Sequence, residues 1–213
     1  MPLERFRPNG MPDPGLAFRA ACRALRIGGL VAFPTDTVYG LGADPRDPEA
    51  VRRLFVAKGR PEEKAIPLLV GSLDAMDLYC DEEGSARRLA EAFWPGPLTI
   101  VAPASPDAPT SVQREDGTIG IRMPDHPVAL GLLRLFDYAI ATTSANRSGN
   151  PSLGAADDVA ATLGGHLAVL LDAPCGGEAL PSTVVRVCPG ERPVVLRQGS
   201  IRLEAIERAL GLC

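Results

Sequence analysis

Short apolar runs alternate with amphipathic segments along most of this 213-residue chain. About eight runs have the pattern of buried strands, and in chain order they read LVAF, IPLLV, LTIVA, TIGIRM, YAIATTS, LAVLLD, STVVRV and PVVLRQ. Some consecutive runs are joined directly by a loop, whereas others are separated by a predicted helix. This mixed order predicts an α/β fold whose sheet combines antiparallel hairpins with parallel crossover connections.

Helices are predicted from apolar faces and from capping residues. Asp47 followed by Pro48 is typical of a helix start, and Lys58 followed by Gly59 is typical of its end. An apolar stripe predicts an earlier helix over residues 16–27. Further helices are predicted over residues 72–79, 85–93, 127–136, 155–163 and 201–210.

A single domain is predicted over residues 1–213, because no Ser/Gly-rich linker or charge block interrupts the alternation. Residues 1–13 are expected to form a loosely ordered N-terminal arm. No apolar run approaches the ~18 residues of a membrane span, and the first residues lack the apolar core of a signal peptide. We therefore expect a cytoplasmic protein without membrane contact.

Cysteine and histidine usage argues against several kinds of site. The five cysteines are odd in number and widely spaced, and none forms a CxxC motif, so neither a disulfide framework nor a zinc site is predicted. Only two histidines are present, which disfavours a histidine-based metal site or a Ser-His-Asp triad. No metal site is predicted.

Four loops at the ends of predicted strands concentrate cations and hydroxyl groups. They read PTDTVYGLGA, KGRPEEK, IRMP and TTSANRSGNPS, and open α/β sheets bind ligands at such strand ends. Cations neutralise phosphate oxygens, hydroxyls give directional hydrogen bonds, and glycines allow close backbone approach. Since no carboxylate pair or histidine accompanies these groups, the set predicts a site for an anionic ligand.

Each of these residues also has an ordinary structural explanation. Lys58 suits the last turn of a helix, where the helix dipole favours a cation, and Ser144 and Asn146 are typical turn formers. Arg122 would pair with a surface carboxylate. The usual nucleotide motifs, GxxxxGK[ST] and GxGxxG, are absent, so any ATP must be bound in another way.

The overall charge limits a role in nucleic-acid binding. The net charge of −4 and pI near 5.3 argue against a surface built as a whole for RNA or DNA. The overall charge is still compatible with a local basic pocket.

An ordered set of segments resembles the threonylcarbamoyl-AMP synthase family and its YrdC-type domain. The segments are PTDTVYGLGA, KGRP followed by PLLV, WPGPLT, TIGIRMPDHP, TSANRSG, STVV and LRQG, and they extend from about Gly29 to Gly199. The resemblance implies a single-domain YrdC-like fold, in which a twisted mixed sheet and surrounding helices form a concave, positive cavity. It also implies a nucleotidyltransferase that converts L-threonine, bicarbonate and ATP, with Mg2+, to threonylcarbamoyl-adenylate and pyrophosphate. A partner complex would transfer the threonylcarbamoyl group to tRNA, and a weak direct RNA contact is left open.

The family also implies roles for individual residues. Both nucleophiles belong to substrates, so the protein needs mainly to position and neutralise anions. Lys58 and Arg60 would act on the triphosphate as catalytic residues, and Arg122 would pair with the threonine carboxylate. The implied ATP site consists of Lys58, Arg60, Thr118, Ser144, Asn146, Ser152 and Arg197, and the implied threonine site consists of Thr35, Arg122, Thr142 and Ser182.

Several departures from the family pattern accompany the resemblance. Gly71 stands where some relatives have a histidine, and Arg186 stands where the family often has an aspartate. The extra carboxyl-terminal domain of the longer branch is expected to be absent, so its lid over the site would need a replacement. Because Lys58 and Arg60 are predicted at a helix end and in a loop, their replacement is expected to lower activity with little effect on melting.

Two other functions stay open. One is a module that binds double-stranded RNA or a ribosomal particle, and the other is a carbamoyltransferase domain that works through carbamoyl-adenylate. Dependence of the reaction on threonine, on carbamoyl phosphate or on neither distinguishes the three.

Overall fold

The computed structural model describes residues 2–10, 13–59, 66–80, 84–176 and 180–212. Its described residues contain ten strands in one sheet, in the spatial order β1-β8-β2-β3-β7-β4-β6-β5-β9-β10. The strands are β1 (Glu4–Phe6), β2 (Leu30–Pro34), β3 (Tyr39–Ala43), β4 (Leu68–Leu69), β5 (Leu98–Pro103), β6 (Thr118–Arg122), β7 (Ile140–Ser144), β8 (Leu167–Leu171), β9 (Thr183–Arg186) and β10 (Val194–Arg197). The helices are α1 (Pro14–Arg26), α2 (Pro48–Lys58), α3 (Ser85–Phe93), α4 (Pro127–Phe136), α5 (Ala156–Leu163) and α6 (Leu203–Leu210).

The sheet is mixed, which confirms the predicted fold class. Strands pair in parallel at β1–β8, β2–β8, β4–β6 and β5–β9. They pair antiparallel at β2–β3, β3–β7, β4–β7, β5–β6 and β9–β10. Both hairpins and crossovers are therefore present, as the mixed order of runs predicts.

Strand β2 shows why the sheet is buried on both faces. Leu30 and Ala32 belong to one core cluster, whereas Val31 and Phe33 belong to another. Because successive side chains of a strand point to opposite faces, the two clusters lie on opposite sides of the sheet. Residues of α1 and α4 contribute to the second cluster, and residues of α2, α3, α5 and α6 contribute to the first. A strand covered on both faces reads as a continuous apolar run.

The predicted boundaries of α2 are confirmed by its caps. The Asp47 carboxylate accepts a hydrogen bond from Glu49 N at 2.9 Å, and Pro48 occupies the first turn. Gly59 ends the helix in the left-handed conformation, with φ at +60°. Lys58 is thereby fixed as the last helical residue, and its side chain is buried.

Strand β3 was missed because its glycines resemble turn signals. A Cβ on Gly42 would lie 2.7 Å from Ile140 Cγ2 and 2.9 Å from Phe33 Cε1. Glycine is therefore required here for the close approach of neighbouring side chains within the sheet. The segment that begins at Tyr39 is a central strand and not a continuation of the loop.

Two other segments differ from the sequence prediction. Residues 4–6, within the expected loose arm, form β1 because their backbone pairs with β8 and because Arg5 and Arg7 both contact the Asp172 carboxylate. Residues 72–79 were predicted as a helix, which is wrong, since only a short 3-10 turn, Asp74–Met76, forms there.

Candidate functional site

A cavity of about 260 Å3 brings together loops and strands that are distant in the chain. Strands β6, β7 and β9 contribute to its wall, together with the turn between β2 and β3 and the end of β10. Most of the predicted site residues line it, namely Thr35, Arg122, Thr142, Ser144, Ser152, Ser182 and Arg197. The cavity therefore joins residues predicted for the ATP site with residues predicted for the threonine site.

Arg122 is the last residue of β6 and is held by three acceptors. Its Nε donates to Gly96 O at 2.9 Å, its Nη1 to Thr37 Oγ1 at 3.2 Å and its Nη2 to Asp36 Oδ1 at 2.5 Å. The side chains of Arg122 and Asp36 are only 8% and 13% exposed. Burial lowers the pKa of Arg122, while the charge and hydrogen bond of Asp36 act in the opposite direction. The carboxylate expected for Arg122 from its structural explanation is thus present, but it is buried rather than on the surface.

Thr35 closes the turn between β2 and β3. Its hydroxyl donates to Val38 O at 2.7 Å, and it accepts from the backbone N–H groups of Thr37 and Val38. Since the single hydroxyl proton is used for Val38 O, Thr37 is the donor in the 3.0 Å contact between the two threonine hydroxyls. Thr35 lines the cavity, but its hydroxyl is engaged within the turn.

Arg197 extends from the edge strand β10 toward Ser182. Its Nε and Nη2 both donate to Ser182 O, at 3.1 and 2.9 Å, and Nη2 also contacts Ser182 Oγ at 3.0 Å. Ser182 Oγ in turn lies 2.8 Å from Thr99 Oγ1. Burial lowers the pKa of Arg197, and the positive charge of Arg122 lowers it further.

Lys58 connects the end of α2 with the loop that follows β7. Its Nζ lies 2.5 Å from Ser144 O, 3.4 Å from Ser144 Oγ, 2.9 Å from Asn146 O and 3.1 Å from Asn146 Oδ1. Ser144 Oγ donates to Asn146 Oδ1 at 2.5 Å. Lys58 and Asn146 are nearly inaccessible to solvent and are not among the lining residues, so in this structure they shape the loop behind the cavity wall.

The remaining predicted residues differ in whether they line the cavity. Thr142 lines the cavity while its hydroxyl donates to Ile140 O at 3.1 Å. Thr118 starts β6 with its hydroxyl bound to Asp116 Oδ1 at 2.6 Å, and it is not a lining residue. Arg60 lies outside the described residues. Of the family departures, Arg186 pairs with Glu191 at 2.9 Å.

The cavity wall is positively charged. Among the described residues, those that line it include three arginines and no aspartate, glutamate or histidine; the arginines are Arg114, Arg122 and Arg197. The charge of Arg122 lowers the pKa of Arg197, and an anion bound between two such cations would relieve their repulsion. The wall also carries a row of hydroxyl groups, so it offers both charge and directional hydrogen bonds to an anionic ligand.

Several polar lining residues were missed by the assignment from sequence, among them Thr37, Thr99 and Arg114. Thr99 is a polar residue inside the apolar run LTIVA, and Thr37 lies in the quoted turn PTDTVYGLGA. Arg114 lies between two strands in a loop with several charges, so nothing in its local sequence distinguishes it from a surface arginine.

The described residues contain neither a cluster suited to a metal ion nor a helix suited to a membrane. No group of three or more His, Cys, Asp or Glu side chains suited to a metal ion occurs within the described residues. No helix in the described part of the chain is both long and apolar enough to span a bilayer.

Comparison with known proteins identifies the family. The family model Sua5_yciO_yrdC, described as telomere recombination, matches residues 23–199. This chain belongs to the Sua5/YciO/YrdC family. The resemblance found in the sequence motifs is thereby confirmed.

Individual members of the Sua5/YciO/YrdC family resemble most of the chain. The threonylcarbamoyl-AMP synthase of Bacillus subtilis (strain 168) is 42% identical over 201 residues, which cover 93% of this chain and 57% of that protein. The threonylcarbamoyl-AMP synthase of Vibrio cholerae (O395) is 38% identical over 182 residues, covering 84% and 95%. The crystal structure of P. abyssi Sua5 complexed with L-threonine has a TM-score of 0.89 and 38% identity, covering 99% of this chain and 61% of that one. The chain thus spans little more than half the length of the B. subtilis and Pyrococcus abyssi relatives that it matches.

Proposed function

We propose that the chain is an L-threonylcarbamoyladenylate synthase, a nucleotidyltransferase that uses L-threonine, bicarbonate and ATP. The observation that carries the proposal is the cavity wall, where the described lining residues include three arginines and many hydroxyls but no acidic residue. The wall therefore suits ligands with anionic groups, and each of the three proposed substrates has one: the threonine carboxylate, bicarbonate and the phosphates of ATP. Membership of the family and the threonine complex of P. abyssi Sua5 support threonine as one of them.

The proposed reaction needs no nucleophile from the protein. The threonine amine attacks the carbon of bicarbonate or of carbon dioxide formed from it, which gives a carbamate and releases water or a proton. A carbamate oxygen then attacks the α-phosphorus of ATP. The bond between that phosphorus and the oxygen that bridges it to the β-phosphate breaks, and this oxygen leaves as part of pyrophosphate. The protein accelerates these steps by orienting the reactants and by neutralising charge on the phosphoryl oxygens. Mg2+ enters with ATP as part of that substrate.

The amino acid and the nucleotide occupy different parts of the cavity in this proposal. Arg122 binds the threonine carboxylate, with Thr35, Thr142 and Ser182 beside it. Arg197 and Ser152 bind ATP, together with Ser144. Planar guanidinium groups suit both carboxylate and phosphate because they donate two parallel hydrogen bonds.

Lys58, Arg60, Asn146 and Thr118 complete the proposed ATP site. An ammonium group has three donors, and the longest of the four Lys58 contacts is the 3.4 Å approach to Ser144 Oγ. We propose that a phosphate oxygen replaces this contact, while Lys58 keeps its bonds to the loop. Arg60 and Lys58 then offset charge on the leaving pyrophosphate.

The product is a mixed anhydride and has to be consumed by a second reaction. We propose that a separate transferase complex moves its threonylcarbamoyl group to an adenosine of tRNA in the cytoplasm, where ATP and tRNA occur together. A weak RNA contact of this chain would assist that transfer.

Release of pyrophosphate tests the proposed function. With purified protein and Mg-ATP, the rate should rise with added L-threonine and with bicarbonate, and it should fall when either is omitted. Stimulation by carbamoyl phosphate instead would assign the carbamoyl-adenylate chemistry. Binding of double-stranded RNA without any pyrophosphate release would assign the RNA-binding module.

A further inference from the structure

The three cavity arginines differ in how many of their donors are already used. Arg122 donates to three acceptors, two of them in the turn between β2 and β3 and the third on Gly96, and Arg197 directs Nε and Nη2 at Ser182. The Arg114 guanidinium has one described ion pair, from Nε to Asp116 Oδ1 at 3.5 Å. This separation exceeds the 2.7–3.2 Å that is typical of an N–H···O hydrogen bond.

Asp116 is committed to another partner. Its Oδ1 accepts from Thr118 Oγ1 at 2.6 Å and from Thr118 N at 3.2 Å, so the oxygen that lies 3.5 Å from Arg114 Nε already has two closer donors. These hydrogen bonds lower the pKa of Asp116. Within the described part of the chain, no residue accepts a hydrogen bond from Nη1 or Nη2 of Arg114. Arg114 therefore keeps more unused donors than either of the other two arginines of the wall.

The backbone around Arg114 is fixed although its side chain is 39% exposed. Arg114 N donates to Thr118 O at 2.8 Å, and Gly117 N donates to Arg114 O at 3.0 Å. Gly117 adopts a φ of +72°, which suits glycine at this turn. The turn thus places Arg114 beside the first residue of β6, at the solvent-accessible edge of the cavity.

The position of Arg114 separates it from the arginine proposed for the amino acid. Thr118 and Arg122 are the first and last residues of β6, so their Cα atoms lie ~13 Å apart at about 3.3 Å per residue. Arg114 and Arg122 therefore approach the cavity from opposite ends of β6. That arrangement suits a ligand with two separate anionic groups, as an amino acid joined to a nucleotide has.

We propose that Arg114 is a further binding residue, which donates its two terminal nitrogens to a phosphate group of ATP at the mouth of the cavity. The planar guanidinium fork matches two phosphate oxygens, and its partial exposure keeps the cost of desolvation low. This inference rests on the proposed function, because that function makes a nucleotide the second ligand of the cavity.

Direct binding of Mg-ATP, measured by isothermal titration calorimetry, tests the inference separately from catalysis. Arg114→Gln keeps a polar side chain but removes the charge, and it should raise the Kd for ATP about tenfold, in the range of a charged hydrogen bond. Arg114→Lys keeps the charge without the planar fork and should restore part of that loss. Arg88→Gln is the matched control, because Arg88 is an exposed arginine of α3 outside the cavity wall, and its Kd should equal that of the wild type.

Steady-state kinetics and melting separate a phosphate contact from a structural role. The KM for ATP should rise in Arg114→Gln, while the KM for threonine and the melting temperature stay at their wild-type values. An unchanged Kd for ATP in Arg114→Gln, absence of ATP binding by the wild type, or equal weakening of threonine would overturn the inference. If the wild type releases no pyrophosphate with threonine and Arg114→Gln still weakens ATP binding, the proposed function fails and the phosphate contact stands.

Discussion

The Asp36 carboxylate lies 2.5 Å from the Arg122 guanidinium in a pair that is largely excluded from water. Thr37 Oγ1 and Gly96 O accept from the other two nitrogens of the same arginine. Because three acceptors on two separate segments fix the guanidinium, its orientation toward the cavity is set before a ligand binds. Such preorganisation lowers the ordering cost of binding.

Arg122→Lys should weaken threonine much more than ATP. Lysine keeps the charge but loses the planar fork, so it cannot reproduce the three directed hydrogen bonds or a bidentate carboxylate contact. The KM for threonine should rise about tenfold or more, with little change in the KM for ATP, as measured by pyrophosphate release at two ionic strengths.

Arg197→Lys provides the reciprocal control, since Arg197 is proposed to bind ATP and should show the opposite selectivity. Parallel weakening of both substrates by Arg122→Lys, with a strong dependence on salt, would mean that Arg122 contributes only to the general positive field.

Replacement of Lys58 should reduce both activity and stability. Its helix-end position in the sequence suggested little effect on melting, but the structure buries the side chain among four oxygen atoms of Ser144 and Asn146. Lys58→Met removes the donor that these oxygens share, and only Ser144 O and Asn146 Oδ1 keep another described donor, so the change costs roughly 1–3 kcal/mol. In a chain of this size the melting temperature should fall by about 2–4 °C for each kcal/mol.

Calorimetric melting of Lys58→Met and of Arg88→Gln, an exposed control on α3, checks this expectation. A wild-type melting temperature in Lys58→Met together with lost activity would show that the loop does not depend on the lysine.

The sequence predicted the fold class and nearly all helices, because amphipathic periodicity and caps are local signals. The Asp47 cap and the Gly59 helix end were identified from neighbouring residues alone. Strand β3 was not, since the need for glycine at Gly42 arises from Ile140 and Phe33, which approach from other strands. Strand β1 was missed because three residues are too few to show a period, and its stability comes from pairing with β8.

Gly199→Ala should disturb the part of the cavity wall that contains Ser182 and Arg197. A Cβ on Gly199 would lie 2.7 Å from Ser182 C and closer still to Pro181 O and Thr183 N. Because all three neighbours are backbone atoms, they cannot move aside as a side chain would, and we expect a loss of about 2 kcal/mol or more. Urea unfolding measures this loss.

Gly165→Ala is the matched control, since a Cβ there has nothing within 4 Å. If the two variants are equally stable, the close approach of the two segments does not constrain position 199.

Stability should fall at high pH through Tyr39. Burial raises the pKa of Tyr39 to about 12 from an ordinary value of 10.0. The neutral phenol is favoured in the folded state, so its contribution is complete below pH 10 and is lost as the pH rises toward 12. Tyr39→Phe removes this titration but also removes the 2.6 Å hydrogen bond to Ala173 O.

Urea unfolding of both proteins between pH 9 and pH 11.5, an interval of about 2.5 units around the shift, measures the difference. The variant should be less stable at pH 9, and the gap should narrow as the pH rises. Burial also raises the pKa of Tyr79, but that residue is present in both proteins and leaves the difference unaffected. A constant gap over the whole range would contradict the prediction.

The candidate site could be predicted only in part for physical reasons. Strand-end loops pointed to an anionic ligand because they concentrate cations and hydroxyls and contain no histidine. The sequence could not show that the Thr35 hydroxyl closes its own turn, that Asp36 holds Arg122, or that Arg114 reaches the cavity. Each of these depends on contacts across the sheet or on the direction of a side chain.

Mass spectrometry of the product with labelled bicarbonate tests the central claim most directly. The protein is incubated with Mg-ATP, L-threonine and either ordinary or 13C-labelled bicarbonate, and nucleotides are separated at once. We predict a threonine-containing adenylate that forms only when all three substrates are present and that is heavier by the mass of one neutron when the bicarbonate is labelled. Production of AMP or ADP alone, or an adenylate that lacks the label, would contradict the account.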